Sequence, residues 1–383
     1  MDKPTVQDIF HRFYPAYLDQ YSPSPVQAKV AHNIMNCKTG AYGANVCVCE
    51  DCGFVQIHYN SCRNRCCPMC QAVPKEMWMD ARREDVLDAP YFHLGFTVPD
   101  ILNPVIYSNQ KLLYDALYHA ASSTISELTA DPKHLGAKVG YICILHTWGS
   151  EMNFHPHIHT ILLGGGLASN NQWKDNGENF FLPIRVISKM FRGKYLEELK
   201  RLWEEDKLVF HGTAEKFRNH YTFKELLDSC YGMDWIPHCK KTFNGAQTVI
   251  KYLGKYTHRI AVSNHRIVRM DDDTVTFLVK DYRNEGQWKE LTISGVEFVR
   301  RFLMHVPPRR FVRIRHYGLL CSRTKSQKLT LCRNLLGCKK YLSKLRDMEM
   351  PEILEHLYGI KVCVCKACGG HLGKPQMRMP LRC

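Results

Sequence analysis

Apolar residues recur with two different periods along the chain, and proline or glycine separates many of the segments. Recurrence at every second residue predicts a β-strand, whereas recurrence at every third or fourth residue predicts an α-helix. Strands are predicted at residues 91–98, 139–148, 155–163, 274–279, 290–293 and 311–317. Helices are predicted at residues 74–89, 104–129, 188–206 and 246–260. Because these elements do not alternate in a regular βαβ order, we expect an α+β fold with a central antiparallel sheet and flanking helices.

The second and third predicted strands are joined by a short segment whose length suits a hairpin loop. His155, His157 and His159 alternate along the second of these strands and therefore share one face. His146 lies on the first strand, where it can face them across the hairpin. We predict that His146, His157 and His159 bind a divalent cation, with His155 as an alternative third ligand. Imidazole ligands favour Zn, Mn, Co or Ni over Ca.

The cysteines are unevenly distributed along the 383 residues. Eight lie between Cys37 and Cys70, and four lie between Cys363 and Cys383. Together with the length, this distribution predicts a small zinc-binding N-terminal domain (residues 1–90), a central domain (91–320) and a basic, cysteine-containing C-terminal region (321–383).

The chain contains no run of eighteen apolar residues and no basic-then-apolar leader, so we expect a cytoplasmic protein. In that compartment the 18 cysteines are expected to be thiols and metal ligands rather than disulfides.

One tetrahedral thiolate site for Zn²⁺ is predicted from two Cys-x-x-Cys pairs, Cys49 with Cys52 and Cys67 with Cys70. Cys62 and Cys66 lie close enough in the sequence to replace one of these ligands. Arg63 and Arg65 stand beside them and are candidates for DNA contact, although this module could equally serve only to brace the fold.

A weaker pattern near the C-terminal end predicts a second, smaller metal site. Its candidate ligands are Cys363, Cys365, Cys368, His371 and Cys383. Among them only Cys365 and Cys368 have the spacing of a zinc knuckle.

The chain carries 52 Lys and Arg against 37 Asp and Glu, a net charge of +15, which favours a polyanionic partner. In the last predicted strand, Phe311, Arg313, Arg315 and Tyr317 fall on one face. Aromatic and guanidinium groups on a single face are typical of binding to single-stranded DNA. The alternative is a half-exposed strand whose arginines serve solubility.

Tyr252 and Tyr256 are four residues apart and lie on one face of the last predicted helix. They are candidate nucleophiles, because Lys255 and Arg259 beside them can lower the cost of charge on a phenol or a phosphate. The alternative is core packing, since Tyr252 and Tyr256 also continue an apolar stripe with Val249 and Ile260.

These residues together resemble the insertion sequence 91 family of transposases, which belong to the two-tyrosine branch of the rolling-circle nucleases. His157-Ile158-His159 is similar to the histidine-hydrophobic-histidine motif of these nucleases, and Tyr252 and Tyr256 are similar to their paired tyrosines. The matching stretches are residues 61–71, 91–99, 155–159, 252–259 and 313–318. Cys66 stands where the family pattern has histidine.

The resemblance implies that residues 91–320 form the catalytic domain of a DNA transposase. It implies Mg²⁺- or Mn²⁺-dependent nicking and joining of single-stranded DNA through a 5′-phosphotyrosine intermediate, during rolling-circle transposition of an insertion sequence. In this reaction Tyr252 and Tyr256 would act in turn, and Lys255 and Arg259 would stabilise the phosphate charge. The expected partners are the single-stranded transposon ends and target DNA, in association with a bacterial nucleoid.

Two other functions remain open at this point. A plasmid or phage replication initiator would use the same chemistry. A zinc-dependent DNA-binding regulator would need neither the tyrosines nor the histidines.

Overall fold

The computed structural model describes residues 3–175, 182–235, 238–243, 248–249, 254, 260–281, 286–374 and 376–378. The helices are α1 Val6–Gln20, α2 Pro25–Met35, α3 Ala72–Arg83, α4 Asn103–Ser108, α5 Gln110–Ala130, α6 Ile184–Glu204, α7 His220–Gly232, α8 Gly295–Met304, α9 Lys325–Leu336 and α10 Met350–Tyr358. The strands are β1 Ala44–Val48, β2 Val55–Tyr59, β3 Tyr91–Thr97, β4 Lys138–Trp148, β5 Phe154–Leu167, β6 Trp173–Asp175, β7 His238–Phe243, β8 Ile267–Met270, β9 Thr274–Asp281, β10 Gln287–Ser294, β11 Ile314–Gly318 and β12 Gln376–Arg378.

A six-stranded antiparallel sheet forms the centre of the molecule, with the order β11-β4-β5-β3-β7 and with β6 paired to β5. The predicted hairpin is confirmed as β4 and β5. In its register His146 lies opposite His157, and Ile144 lies opposite His159. The predicted α+β class, with an antiparallel sheet and flanking helices, is likewise confirmed.

Both faces of this sheet are covered. On one face, Cys143 and Leu145 of β4 belong to an apolar cluster that includes residues of α5 and α6. On the other face, Ile142 and Ile144 belong to a cluster that includes residues of α3 and α9 together with Val249. Because side chains alternate along a strand, the three predicted histidine ligands lie on this second face, in phase with Ile144.

The predicted helix at residues 104–129 is interrupted, so the prediction of one continuous helix is wrong. Asn109 separates α4 from α5 with φ −126° and ψ 37°. Its Nδ2 donates to the carbonyl oxygens of Val105 (2.9 Å) and Val209 (2.7 Å). Asparagine side chains compete in this way with helical backbone bonds, which explains the break.

Other predicted elements differ from the observed ones at their ends, two of them as follows, and one cannot be compared in full. The helix predicted at 74–89 ends at Arg83. The strand predicted at 311–317 begins only at Ile314. The helix predicted at 246–260 lies largely outside the described residues.

A second apolar cluster joins α1 and α2 to α8 and to a three-stranded sheet, β10-β9-β8. Both N-terminal helices begin at capping boxes, formed by Thr5 with Asp8 and by Ser24 with Gln27. The cluster packs Phe10 against Phe302, with ring centroids 5.2 Å apart. Its contacts therefore cross the predicted boundary at residue 90.

A third sheet, β12-β1-β2, pairs a strand near the C-terminal end with the N-terminal hairpin. Ala44 lies opposite Arg378 on one side and opposite Tyr59 on the other. Contacts between the first and last parts of the chain therefore also cross the predicted boundary at residue 320. Within the described residues, no helix is both long and apolar enough to cross a membrane.

Candidate metal centres and nucleic-acid interface

The ring nitrogens of His146, His157 and His159 converge at the end of the β4–β5 hairpin, with one ligand atom from each within 4.8 Å of the others. The Nε2 atoms of His157 and His159 are 3.0 Å apart. Two unprotonated nitrogens facing each other at this distance suit a shared cation. The structure therefore brings together the three residues that the strand period predicted.

Hydrogen bonds on the far side of the rings orient two of these histidines. His157 Nδ1 donates to the carbonyl oxygen of His155 at 2.7 Å, which leaves Nε2 as the lone-pair nitrogen. His159 Nδ1 lies 2.8 Å from Nε2 of His93 on the neighbouring strand β3. If His159 Nδ1 donates in that bond, His159 Nε2 also faces the shared point as an acceptor.

His93 is a residue that the sequence did not single out. It stands within the stretch 91–99 that resembles the transposase family, but nothing in its spacing points to the other histidines. Only the pairing of β3 with β5 brings it beside His159.

His155 does not join the three histidines, so its prediction as an alternative third ligand is wrong for this arrangement. Its Nδ1 lies 3.3 Å from the carboxylate of Asp100 instead. Strand position alone could not make this distinction, because His155 has the same alternation as His157 and His159.

The three histidines fit a divalent cation that keeps open coordination positions. Burial lowers the pKa of His157 to about 4, so the imidazole is neutral at pH 7, as a metal ligand must be. Three imidazoles without a carboxylate suit Mn²⁺ or Zn²⁺ better than Mg²⁺.

A first group of four thiols lies between the N-terminal helices and α3: Cys37, Cys62, Cys67 and Cys70. The Sγ atoms of Cys62 and Cys70 are 3.8 Å apart, which matches the edge of about 3.8 Å expected for a zinc tetrahedron with Zn–S bonds of about 2.3 Å. Hydrogen bonds from the thiols of Cys62 and Cys67 lower the pKa of Cys70.

This grouping corrects the predicted zinc site. Cys67 and Cys70 do not share a site with Cys49 and Cys52, and Cys37 takes part although it has no knuckle partner. Cys62 is a member, whereas Cys66 is buried outside the group and is wrong as a ligand. The sequence spacing predicted the wrong grouping, because it does not determine which distant cysteines share a metal site with a given Cys-x-x-Cys pair.

A second group of four thiols joins the two ends of the chain: Cys49, Cys52, Cys365 and Cys368. The predicted C-terminal metal site is therefore wrong as a separate cluster, because its knuckle meets the N-terminal one. Cys363 and His371 lie outside the group. Cys383 lies outside the described residues.

The predicted nucleophiles Tyr252 and Tyr256 lie outside the described residues, as do Lys255 and Arg259. The described residues nearby include Val249 and Gly254. Val249 belongs to the apolar cluster on the histidine face of the sheet. Gly254 is helical and packs so closely on α3 that a Cβ atom there would overlap Sδ of Met79.

The basic strand does not offer the predicted face to DNA. Phe311 is only 4% exposed and packs against the rings of Tyr114 and Tyr118 in α5. The Arg315 guanidinium lies 4.0 Å from the ring centroid of Tyr118 and pairs with Asp115.

The other two members of this face are also turned inward. The Arg313 guanidinium lies over the ring of Trp148, and burial lowers its pKa. Tyr317 stacks on Tyr141 across the strand pair, with ring centroids 5.2 Å apart. The prediction that Phe311, Arg313, Arg315 and Tyr317 stack on DNA is therefore wrong, because α5 and β4 occupy that face.

A different basic surface is open. It is a groove of about 350 Å³ between the first thiol group and the segment after α8. We name it the basic groove and define it by its cationic residues Lys29, Arg63, Arg65, Arg309 and Arg310, all of which are exposed. Arg65 also donates to the carbonyl oxygens of Pro308 and Phe311, which fixes one wall of the groove to the other.

Comparison with known proteins assigns the chain to a family. Residues 9–98 match the model of the IS91 "Transposase zinc-binding domain", and residues 140–328 match a model described as "Putative transposase". "Putative transposase y4qJ" of Sinorhizobium fredii is 40% identical over 369 residues, which cover 95% of this chain and 93% of that protein. The chain belongs to the IS91 family of transposases.

A second relative agrees with this assignment. The transposase for insertion sequence element IS801 of Pseudomonas savastanoi pv. phaseolicola is 30% identical over 309 residues, 79% of this chain and 72% of that protein. As an IS91-family transposase the chain acts on DNA. This assignment favours transposition over the two alternatives, a replication initiator and a DNA-binding regulator.

Among solved structures, the conjugative relaxase TrwC in complex with oriT DNA, in its metal-bound form, is 14% identical to the transposase and covers 43% of this chain and 69% of the relaxase chain. The TM-score is 0.24.

Proposed function

We propose that this transposase nicks and rejoins single-stranded DNA during rolling-circle transposition, with Tyr252 and Tyr256 as its nucleophiles. The observation that carries the proposal is the convergence of His146, His157 and His159 on one face of the central sheet. Three imidazoles with open coordination positions are suited to a catalytic cation rather than to a closed structural site.

Two described residues that flank Tyr252 in the sequence pack on the side of the central sheet that carries the three histidines. Val249 packs on the histidine face of the sheet, and Gly254 packs on α3, which covers the same face. These two residues lie on either side of Tyr252 in the sequence.

The proposed reaction is a transesterification. The phenolic oxygen of the tyrosine forms a bond to phosphorus, and the bond from phosphorus to the 3′ oxygen breaks. The phenol loses its proton to solvent, and the 3′ hydroxyl leaves with a proton. The product is a 5′-phosphotyrosine, whose energy allows rejoining without ATP.

A phenol is a poor nucleophile towards a phosphodiester unless the developing charge is neutralised. A divalent cation held by the three histidines would polarise the scissile phosphate. Of the two ions that the family resemblance implies, the imidazole ligands favour Mn²⁺ over Mg²⁺. Lys255 and Arg259 would add positive charge beside the phenols. A second tyrosine allows a second cut while the first tyrosine still holds its strand.

The basic groove is the surface that we propose for the DNA strand. Arg63 and Arg65, predicted as DNA contacts, both line it, and Arg309 and Arg310 extend it. Four arginines and Lys29 on one exposed surface suit the tracking of successive phosphates. The thiol group behind Arg63 would then position the groove as well as stabilise the fold.

A covalent-adduct assay tests the nucleophiles. The protein is incubated with Mn²⁺ and labelled single-stranded oligonucleotides that cover the DNA flanking its gene, and the products are separated on a denaturing gel. We expect a labelled adduct with the wild type and with Tyr221→Phe, whose tyrosine is 76% exposed on α7. The double variant Tyr252→Phe, Tyr256→Phe should give none.

The same gel tests the cation site with a matched pair of histidines. His157→Ala should abolish the adduct, whereas His155→Ala should retain it because that ring faces Asp100. An adduct that persists in the double tyrosine variant would disprove the proposed nucleophiles. An adduct that is equally sensitive to both histidine changes would disprove the proposed ligand set.

A further inference from the structure

Two short segments far apart in the sequence have the same backbone structure. In the first, Cys49 N donates to the carbonyl of Phe54 (2.9 Å) and Gly53 N donates to the carbonyl of Cys49 (3.0 Å). In the second, Cys365 N donates to the carbonyl of Gly370 (2.8 Å) and Gly369 N donates to that of Cys365 (3.0 Å).

A glycine at the equivalent position completes each of the two turns. Gly53 and Gly369 each follow the second cysteine of a Cys-x-x-Cys pair, with φ of +72° and +78°. Such positive φ values favour glycine. The two segments are therefore two copies of one zinc-knuckle geometry, one near each end of the chain.

The four thiols of these knuckles lie within 4.8 Å of one another. Sγ of Cys49 lies 3.5 Å from Sγ of Cys368, and Sγ of Cys52 lies 3.7 Å from Sγ of Cys365. A zinc tetrathiolate has S–S edges of about 3.8 Å. A disulfide would need about 2.05 Å.

Backbone donors already face two of the sulfurs. Ala367 N lies 3.4 Å from Sγ of Cys365, and Gly370 N lies 3.4 Å from Sγ of Cys368.

The two knuckles are held in register by contacts around the sulfurs. Glu50 N donates to the carbonyl of His371 (3.1 Å), and Gly373 N donates to the carbonyl of Val48 (2.9 Å). Gly370 comes so near the first knuckle that a Cβ atom there would overlap the carboxylate of Asp51.

Packing alone does not explain this junction. Among the described residues, the apolar cluster that lies at the junction consists of Cys47, Cys49, Cys365 and Leu372. Three of these four residues are cysteines, and small units with so little apolar core generally depend on a metal or a crosslink.

We propose that Cys49, Cys52, Cys365 and Cys368 bind a structural Zn²⁺ that fastens the C-terminal knuckle and β12 to the N-terminal hairpin. Four thiolates favour Zn²⁺ and leave no coordination position for a substrate. This site is separate from the group of Cys37, and it does not depend on the proposed nicking chemistry.

Metal content tests the site. Zinc per chain and the thiolate charge-transfer absorption of the Co²⁺-substituted protein are measured for the wild type and two variants. We expect Cys365→Ser, Cys368→Ser to lose one zinc ion per chain and about half of the absorption, since each thiol group holds four of the eight ligands. Cys363→Ser is the matched control, because Cys363 is exposed and outside the group. This variant should keep the zinc content and the Co²⁺ absorption of the wild type.

Alkylation of the native wild type tests the site without any substitution. With zinc present, Cys49, Cys52, Cys365 and Cys368 should be protected together, and a chelator should expose all four. Cys321 and Cys363 are exposed and should react throughout.

Three outcomes would overturn the proposal. One is an unchanged zinc content and Co²⁺ spectrum in the double variant. Another is protection of one knuckle without the other. The third is an unreduced mass lower by four hydrogens with peptides crosslinked between the knuckles, which would establish disulfides in place of the metal.

Discussion

His93 orients the imidazole ring of His159, although His93 is not itself a proposed ligand of the cation. Its Nε2 lies 2.8 Å from Nδ1 of His159, and this contact decides which nitrogen of His159 faces His157. Partners of this kind hold a ligand histidine in one tautomer and one rotation. We therefore regard His93 as a positioning residue.

Replacement of His93 should weaken cation binding without removing a ligand. We expect His93→Ala to lower the Mn²⁺ affinity by about 10- to 100-fold, measured by titration calorimetry. His93→Gln, which can still accept a hydrogen bond from His159, should recover part of the loss. His119→Ala, on the exposed side of α5, should leave the affinity unchanged. Equal affinities for His93→Ala and the wild type would contradict this role.

His305 couples protein stability to pH. It is 3% exposed, its Nε2 donates to the carbonyl of Met152 (3.0 Å), and its Nδ1 lies 3.1 Å from Oγ1 of Thr147. Burial lowers the pKa of His305 to about 4. The folded chain therefore keeps this imidazole neutral at pH values where the unfolded chain protonates it.

The sign of the pH effect follows from proton binding. Below the unfolded pKa of about 6.5, the unfolded state binds the proton and the folded state does not, so the free energy of unfolding falls as the pH falls. For His305 the loss amounts to about 3 kcal/mol between pH 7 and pH 4. His305→Gln should remove this part of the slope, measured by urea unfolding at several pH values. An identical slope in the variant would exclude His305 as the source.

One physical reason explains why the convergence of the three histidines could be predicted from the sequence and the grouping of the cysteines could not. His146, His157 and His159 are set by the period of two strands and one hairpin, which are local. The partners of Cys49 and of Cys70 are set by tertiary contacts, and thiol spacing cannot choose among several cysteines. His93 was missed because only the pairing of non-adjacent strands brings it to the site.

At the scale of elements, the glycine run 164–166 continues β5 rather than ending it. A Cβ atom on Gly165 would overlap the indole ring of Trp173 in β6, and one on Gly166 would overlap the carbonyl oxygen of Lys138 in β4. These glycines therefore allow both neighbouring strands to approach β5 closely.

Two glycine replacements should have opposite effects on stability. Gly165→Ala should lower the free energy of unfolding by about 1–3 kcal/mol, because Trp173 must move. Gly193→Ala should raise it by about 0.5–1 kcal/mol, because Gly193 lies within α6 and an added methyl group there would meet no other atom within 4 Å. Urea unfolding followed by tryptophan fluorescence measures both. A stable Gly165→Ala protein would show that Trp173 packs elsewhere.

The strand β11 shows where a correct pattern leads to an incorrect function. Residues 311–317 do alternate, and the aromatic and arginine side chains do share a face. Alternation cannot reveal which face meets solvent, however, and here α5 covers the face that carries Arg315. The guanidinium of Arg315 is stacked on Tyr118 and paired with Asp115, so its contacts are made within the protein.

At the scale of the whole molecule, the chain has a net charge of +15, and the basic groove presents five exposed cationic side chains. The Arg315 side chain of β11, by contrast, is packed against Tyr118 and Asp115. The double variant Arg309→Ala, Arg310→Ala should weaken binding to single-stranded DNA. It should also reduce the slope of log affinity against log salt by about 1.4, which corresponds to two phosphate contacts. Fluorescence anisotropy at several salt concentrations measures both quantities.

Arg315→Ala is the matched control for this measurement, because Arg315 is already paired with Asp115. Its salt slope should equal that of the wild type. If Arg315→Ala reduced the slope and the double variant did not, the DNA path would run along β11 instead.

The junction between the two knuckles also affects the order in which the two thiol groups can be completed during synthesis. Cys62 and Cys70 are 8 residues apart, so the first thiol group is complete soon after it is synthesised. Cys365 follows Cys52 by 313 residues, a delay of roughly 15–60 s at ribosomal rates of about 5–20 residues per second. During that interval the first knuckle holds only half of its ligands. The second zinc ion would therefore bind only after Cys368 has been synthesised, well after the first thiol group can be filled.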